Sequence, residues 1–138
     1  MVTIITDSDL QFNTKNLLTQ LKLVVKELGI KGDLTIKLGG EAESQSLNAQ
    51  YRGKNYPTDV LSFFCGEDHP DGYYLGDIFI CYPVAVEQAS EYSIGVDKEL
   101  FTLMIHGILH LSGYDHQKDD GSMLAKQQQL IEKFWEDA

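Results

Sequence analysis

Residues 60–81 read Val60-Leu61-Ser62-Phe63-Phe64-Cys65-Gly66-Glu67-Asp68-His69-Pro70-Asp71-Gly72-Tyr73-Tyr74-Leu75-Gly76-Asp77-Ile78-Phe79-Ile80-Cys81. Two apolar runs, 60–64 and 75–81, flank a segment, 66–74, rich in Gly, Asp and Pro. That pattern predicts two strands joined as an antiparallel hairpin with a long tip. Downstream, Pro83 suits the first position of a helix running to about Ser93. Asp97 can cap the next helix, with Glu99 in its first turn. That helix runs through Leu111, and Gly113 suits a left-handed stop. A last helix covers roughly 120–135. Upstream, residues 2–6 read as a short strand. Residues 14–28 read as an amphipathic helix, with Leu17, Leu18, Leu21, Val24, Val25 and Leu28 on one face and Gly29 as its stop. Residues 34–38 alternate as a strand closed by Gly39-Gly40, and 41–51 suit a short helix. The order β-α-β-α-β-β-α-α-α predicts an α/β (α+β) fold. It is a four-stranded mixed sheet covered by about five helices, in which the hairpin supplies an antiparallel strand among otherwise parallel ones.

The 138 residues suit one domain, 1–138, and a hydrophobic content of 43% is ordinary for a globular chain. There is no repeat, low-complexity segment or linker. The first residues lack the basic and apolar regions of a signal peptide, and Asp7 ends their apolar run early. No apolar stretch approaches the ~18 residues needed to span a bilayer. The expectation is a soluble, cytoplasmic protein without a membrane partner. Cys65 and Cys81 form no C-x-x-C pair and read as reduced, small core hydrophobes near strand ends.

The net charge of −10 argues against a protein held to nucleic acid by bulk electrostatics. Residues 1–62 carry seven basic and seven acidic side chains, and residues 63–138 carry four and fourteen. A polyanionic partner would therefore approach the first half, or a bound metal.

The chemistry concentrates in His106-Gly107-Ile108-Leu109-His110-Leu111-Ser112-Gly113-Tyr114-Asp115-His116. His106 and His110 stand one helical turn apart, so both imidazoles face one side and can share a metal. Gly113 lets the chain turn and bring His116 back to the same ion. Three imidazoles leave a tetrahedral zinc with one open position, which is a catalytic geometry. The alternative, ordinary core and loop histidines, fits poorly with three of the chain's four histidines lying within eleven residues. His69, in the hairpin tip, reads as a surface residue. The surrounding helix is apolar nearly all round, so the site lies on a buried helix and the turn after it. Zinc peptidases of the H-E-x-x-H type carry their base directly after the first histidine. That position here is Gly107, which can do no acid–base work.

Arg52, the chain's single arginine, stands in Asn48-Ala49-Gln50-Tyr51-Arg52-Gly53-Lys54. A guanidinium beside a metal suits a phosphodiester and its developing charge. An ion pair with Asp59 is an equal alternative. Lys15, Lys22 and Lys26 fall within ~40° on the first helix. They form either a phosphate-contacting strip or a plain solvated face.

The stretch 106–116, H-G-x-L-H-L-x-G-Y-D-H, resembles the signature of the YbeY family of bacterial metal-dependent endoribonucleases. Tyr51-Arg52-Gly53-Lys54 followed by Pro57-Thr58-Asp59-Val60-Leu61-Ser62-Phe63 is similar to the family's second motif, and Leu75-Gly76-Asp77-Ile78 to a third. The resemblance implies one zinc ion at His106, His110 and His116, and catalytic roles for Arg52 and His106. Lys54, Lys22 and Lys26 are candidate substrate contacts. Asp115 and Asp59 are candidates to orient a ligand imidazole, although Asp115 equally suits a turn-forming role. The implied substrate is single-stranded RNA rather than DNA, in 16S ribosomal RNA 3′-end maturation and ribosome quality control, with a ribosomal protein as a partner. One departure is Cys65-Gly66, where many members carry a proline. Two other functions compete. A metal-dependent peptidase or esterase would need Asp59, Asp77 or another carboxylate to reach the metal site. A non-catalytic, zinc-stabilised ribosome-assembly factor would need a fourth protein ligand from Cys65, Cys81, His69 or a carboxylate.

Overall fold

Leu17, Leu21 and Val24, the centre of the first amphipathic stripe, are fully buried, while Leu18, Val25 and Leu28 pack at its margin. The helix they define lies against a sheet built from four segments. The structure, a computed structural model, describes residues 1–6, 14–114 and 121–135. In chain order the elements are β1 (Val2–Thr6), α1 (Thr14–Leu28), β2 (Asp33–Gly39), α2 (Glu41–Arg52), β3 (Val60–His69), β4 (Gly72–Cys81), α3 (Tyr82–Glu91), α4 (Val96–Leu111) and α5 (Ser122–Phe134). The strand order is β1-β2-β4-β3. β1 with β2 and β2 with β4 are parallel, and β3 with β4 is antiparallel. The mixed sheet and its helices follow the sequence expectation. Asp115 and His116 lie outside the described residues. Among the described residues, no helix is long and apolar enough to cross a membrane.

Period-two alternation sends the strand side chains to two unlike faces. Leu34, Ile36, Leu38, Val60, Ile78 and Ile80 belong to the main core, with Leu21 of α1, Phe101, Met104 and Ile105 of α4, and Met123 and Leu130 of α5. Leu61, Phe79 and Cys81 form a smaller cluster with Leu47 of α2, Phe63 and Val84. Past α2 this second face stays open. A groove of about 660 Å³ runs over it, lined in part by Ile5, Lys37, Phe64 and Asp77.

Three local expectations are corrected. The hairpin has no long tip: β3 and β4 stay paired from Val60↔Ile80 out to His69↔Gly72, leaving Pro70-Asp71 as the turn. Pairing across the strands supplies partners that composition alone does not reveal. The N-cap of α4 is Gly95, without a side-chain cap, and Asp97 lies within the first turn. There its charge still favours the positive helix end. Cys81 is fully buried, but Cys65 is partly exposed in mid-β3, so it is no core residue.

Gly76 and Gly107 set two of the close approaches on the sheet. A Cβ on Gly76 would fall 2.3 Å from the Phe63 carbonyl oxygen, so β4 meets β3 closely only without one. A Cβ on Gly107 would lie 2.8 Å from Ile78 Cγ2. Here α4 rests directly on the sheet, and Ser62 Oγ donates to the Gly107 carbonyl at 3.2 Å.

Candidate active site

α4 buries nearly every side, and the exceptions define the site. Thr102, His106 and His110 stand along one stripe at helical spacing, in line with the buried Glu99. The two imidazoles are half-buried, with ring centroids 4.8 Å apart at 69°. They open into a cleft of about 300 Å³ whose other walls are Arg52, Asp59, Val60 and Ser62. Residues far apart in sequence therefore meet in one polar cleft. Gly113 continues the geometry: its φ of +109° suits glycine, its N–H bonds to the His110 carbonyl, and the Tyr114 N–H bonds to the Leu109 carbonyl. This paired motif turns the chain sharply after His110.

His106 Nδ1 lies 2.9 Å from Gln127 Oε1 on α5. An amide oxygen only accepts, so this contact puts the ring proton on Nδ1 and leaves Nε2 with its lone pair. Outer partners of this kind orient metal-binding histidines. Two neighbouring imidazoles, one held by an amide oxygen, are donors that suit a borderline-soft divalent cation. The third expected donor, His116, lies outside the described residues.

Arg52 is placed by the end of α2. Gly53 takes a left-handed conformation, and its N–H and that of Lys54 bond to the carbonyls of Ala49 and Asn48. The following loop is held from inside. Ser44 Oγ donates to the Thr58 carbonyl at 2.8 Å and accepts from the Thr58 N–H at 2.9 Å. Asn48 Nδ2 donates to the Tyr56 carbonyl at 2.8 Å. Both side chains are buried, so these bonds form away from competing water. Asp59 at the loop's end accepts from the Val60 N–H at 2.8 Å and from Gln88 Nε2 at 3.3 Å. Among the described residues no ion pair joins Asp59 to Arg52, so the guanidinium is not consumed by it.

Behind the cleft, sharing Asp59 and His106 as walls, lies a second cavity of about 260 Å³. Glu99 and Gln127 line it. Glu99 is 3% exposed. Burial, with a smaller contribution from the Asp59 carboxylate, pushes its carboxyl up to about 7. A group near neutrality in a cleft can hold or release a proton at working pH.

Several sequence candidates fall elsewhere. Lys22, Lys26 and Lys54 are exposed and do not line the cleft. Asp77 lies across the sheet, lining the open groove and bonding to the Tyr74 hydroxyl. It is thus not the carboxylate that a peptidase would need beside the histidines. Position 107 cannot supply one either, because its Cα faces Ile78 in the core. The sequence gives no individual site role to Glu99, Gln127 or Ser62, because each meets the cleft through contacts distant along the chain. Ser44 and Asn48 left a faint signal, as polar residues one turn apart on the buried side of a short helix.

The family profile described as Endoribonuclease YbeY matches residues 3–135. The chain belongs to the endoribonuclease YbeY family. It is 40% identical over 127 residues to the Endoribonuclease YbeY of Thermotoga petrophila, covering 87% of this chain and 82% of that protein. It is 41% identical over 129 residues to the Staphylococcus carnosus protein of the same name, covering 86% and 82%. The solution structure of TM1509 from Thermotoga maritima superposes with a TM-score of 0.70 at 35% identity, covering 98% of this chain and 89% of that one. Family membership thus agrees with the three sequence motifs and with the cleft where two of them meet.

Proposed function

We propose that this chain is a zinc-dependent endoribonuclease that cuts single-stranded RNA, acting in 16S ribosomal RNA 3′-end maturation and ribosome quality control in the cytoplasm. One observation carries the reading: Arg52 opens into the same cleft as His106 and His110. Relatives of the chain are named endoribonucleases, which supports a phosphodiester as the bond cut. His106, His110 and His116 would hold the ion. When bound, zinc supplies Lewis acidity toward a phosphoryl oxygen.

The chain's own residues do the rest. The Arg52 guanidinium presents a planar fork of donors to a phosphate and stabilises charge that develops during cleavage. Ser44 and Asn48 keep the Arg52 loop in place before substrate arrives, so little reorganisation is needed. Gln127 holds the His106 ring and its tautomer. Asp59 and Glu99 form an acidic back wall, and Glu99 stores a proton near neutral pH. The exposed cleft and acidic surface suit an unpaired strand presented by a ribosomal partner better than tight binding of a duplex by charge alone.

The test is cleavage of matched single- and double-stranded RNAs by metal-loaded and chelator-stripped protein. The expected result is cutting of the single strand, lost on stripping and restored by zinc. Equal cutting of both RNAs, or activity indifferent to stripping, overturns the proposal.

A further inference from the structure

The β3–β4 hairpin extends past the sheet. β2 pairs with β4 no further than Tyr74, while β3 and β4 continue to His69 and Gly72. Just before this extension, opposite Tyr74 to Gly76, the register shifts between Phe64 and Glu67, and Gly66 adopts a φ of +66°. The bulge lets the strand bend locally. Glu67 and His69 stand two apart on one face of the strand, and the bulge at Cys65-Gly66 brings Cys65 to the same side. Their sulfur, carboxylate oxygen and ring nitrogen all lie within 4.8 Å of one another. His69 Nε2 is 3.9 Å from Glu67 Oε2. Donors around a tetrahedral zinc stand roughly 3.3–3.6 Å apart, from bonds of ~2.0–2.3 Å. Small rotations of exposed side chains close that gap.

We propose that Cys65, Glu67 and His69 form a second site for a borderline-soft divalent cation such as zinc or cobalt, separate from the histidine cleft. Thiolate with imidazole and carboxylate selects such ions over magnesium or calcium. The neighbouring sequence is acidic: residues 55–97 contain no Lys or Arg, and Asp68 and Asp71 flank the ligands. Among the described residues the group comprises these three donors, and the neighbouring Tyr74 hydroxyl is taken by Thr35 and Asp77. Binding would tie the bulge at Cys65 to Glu67 and to His69, which stands where the hairpin has left its β2 neighbour.

The test is a cobalt titration of the metal-stripped full chain, followed by near-ultraviolet absorption. A thiolate-to-cobalt charge-transfer band reports Cys65 alone, because Cys81 is fully buried and the cleft ligands are histidines. The band is expected in wild type and in His110→Ala, and absent in Cys65→Ser, which still takes up cobalt without thiolate absorption. Glu67→Gln and His69→Ala should each weaken the band's apparent affinity by at least about tenfold, since even outer partners of metal ligands contribute that much. Cobalt should also protect Cys65 from alkylation. The proposal is overturned if wild type shows no band, if Glu67→Gln and His69→Ala leave its affinity unchanged, or if His110→Ala removes it.

Discussion

The two faces of the sheet differ in how completely they are closed. One packs Ile36, Leu38, Ile78 and Ile80 beneath α1, α4 and α5. The other carries a small cluster under α2 and then an open groove, with Ile5 and Phe64 49% and 66% exposed. The cleft opens at the edge strand β3, where α4 from the closed face meets the end of α2 from the other face, and the reason is mechanical. A guanidinium from α2 and imidazoles from α4 keep a fixed separation only if both helices are tied down: Gly107 packs α4 on Ile78 of the sheet, and Ser44 ties α2 to Thr58 in the loop that leads into β3. On the open face the polar side chains pair with one another across the surface, Lys37 with Glu43 and the Tyr74 hydroxyl with Thr35 and Asp77.

Three perturbations sharpen this contrast. The largest effect is expected from Phe101→Ala. Its ring is fully buried and packs on Trp135 at 5.2 Å. Truncation should remove about 3–5 kcal/mol of stability, read by urea denaturation. A loss below about 1 kcal/mol would mean that the closed face is loosely packed.

Glu99 lies on the same face and should show a pH effect. The folded chain holds its proton up to about 7, whereas the ordinary carboxyl value is 4.5. Stability from this group is therefore greatest below 4.5 and falls as pH rises from 4.5 to 7, by up to about 3 kcal/mol. Glu99→Gln should flatten that slope and be more stable than wild type at pH about 8. Urea midpoints measured on both sides of the window decide it, and parallel wild-type and variant profiles would contradict the assignment. On the open face, Phe64→Ala should change stability by no more than about 0.5 kcal/mol. A larger loss would show that the groove is covered in solution.

The sequence carried most of this contrast, for a physical reason. The apolar stripe of α1, the parallel and antiparallel strands and the buried α4 are periodic signals, each local to its segment. The histidine spacing and the Arg52 motif were legible as chemistry because one helical turn fixes where two side chains point. What stayed hidden depends on non-local contact. The hairpin tip looked like loop because Gly, Asp and Pro dominate 66–74, yet Glu67↔Tyr74 and Asp68↔Tyr73 pairing carries the strands onward. Glu99 looked like an ordinary acid in a first helical turn, and only the packing of α3 and α5 around it makes it a buried group. Cys65 looked apolar until the bulge brought it beside Glu67 and His69.

The account rests on Arg52 acting on substrate while the histidines hold the ion. The most direct test measures zinc content and single-turnover RNA cleavage together for wild type, Arg52→Ala and His110→Ala. Arg52→Ala should keep its zinc and cut at least about 100-fold more slowly, the scale for losing one charge-stabilising donor. His110→Ala should lose both zinc and cleavage. Arg52→Ala cutting at the wild-type rate, or His110→Ala keeping both its metal and its activity, would contradict the account.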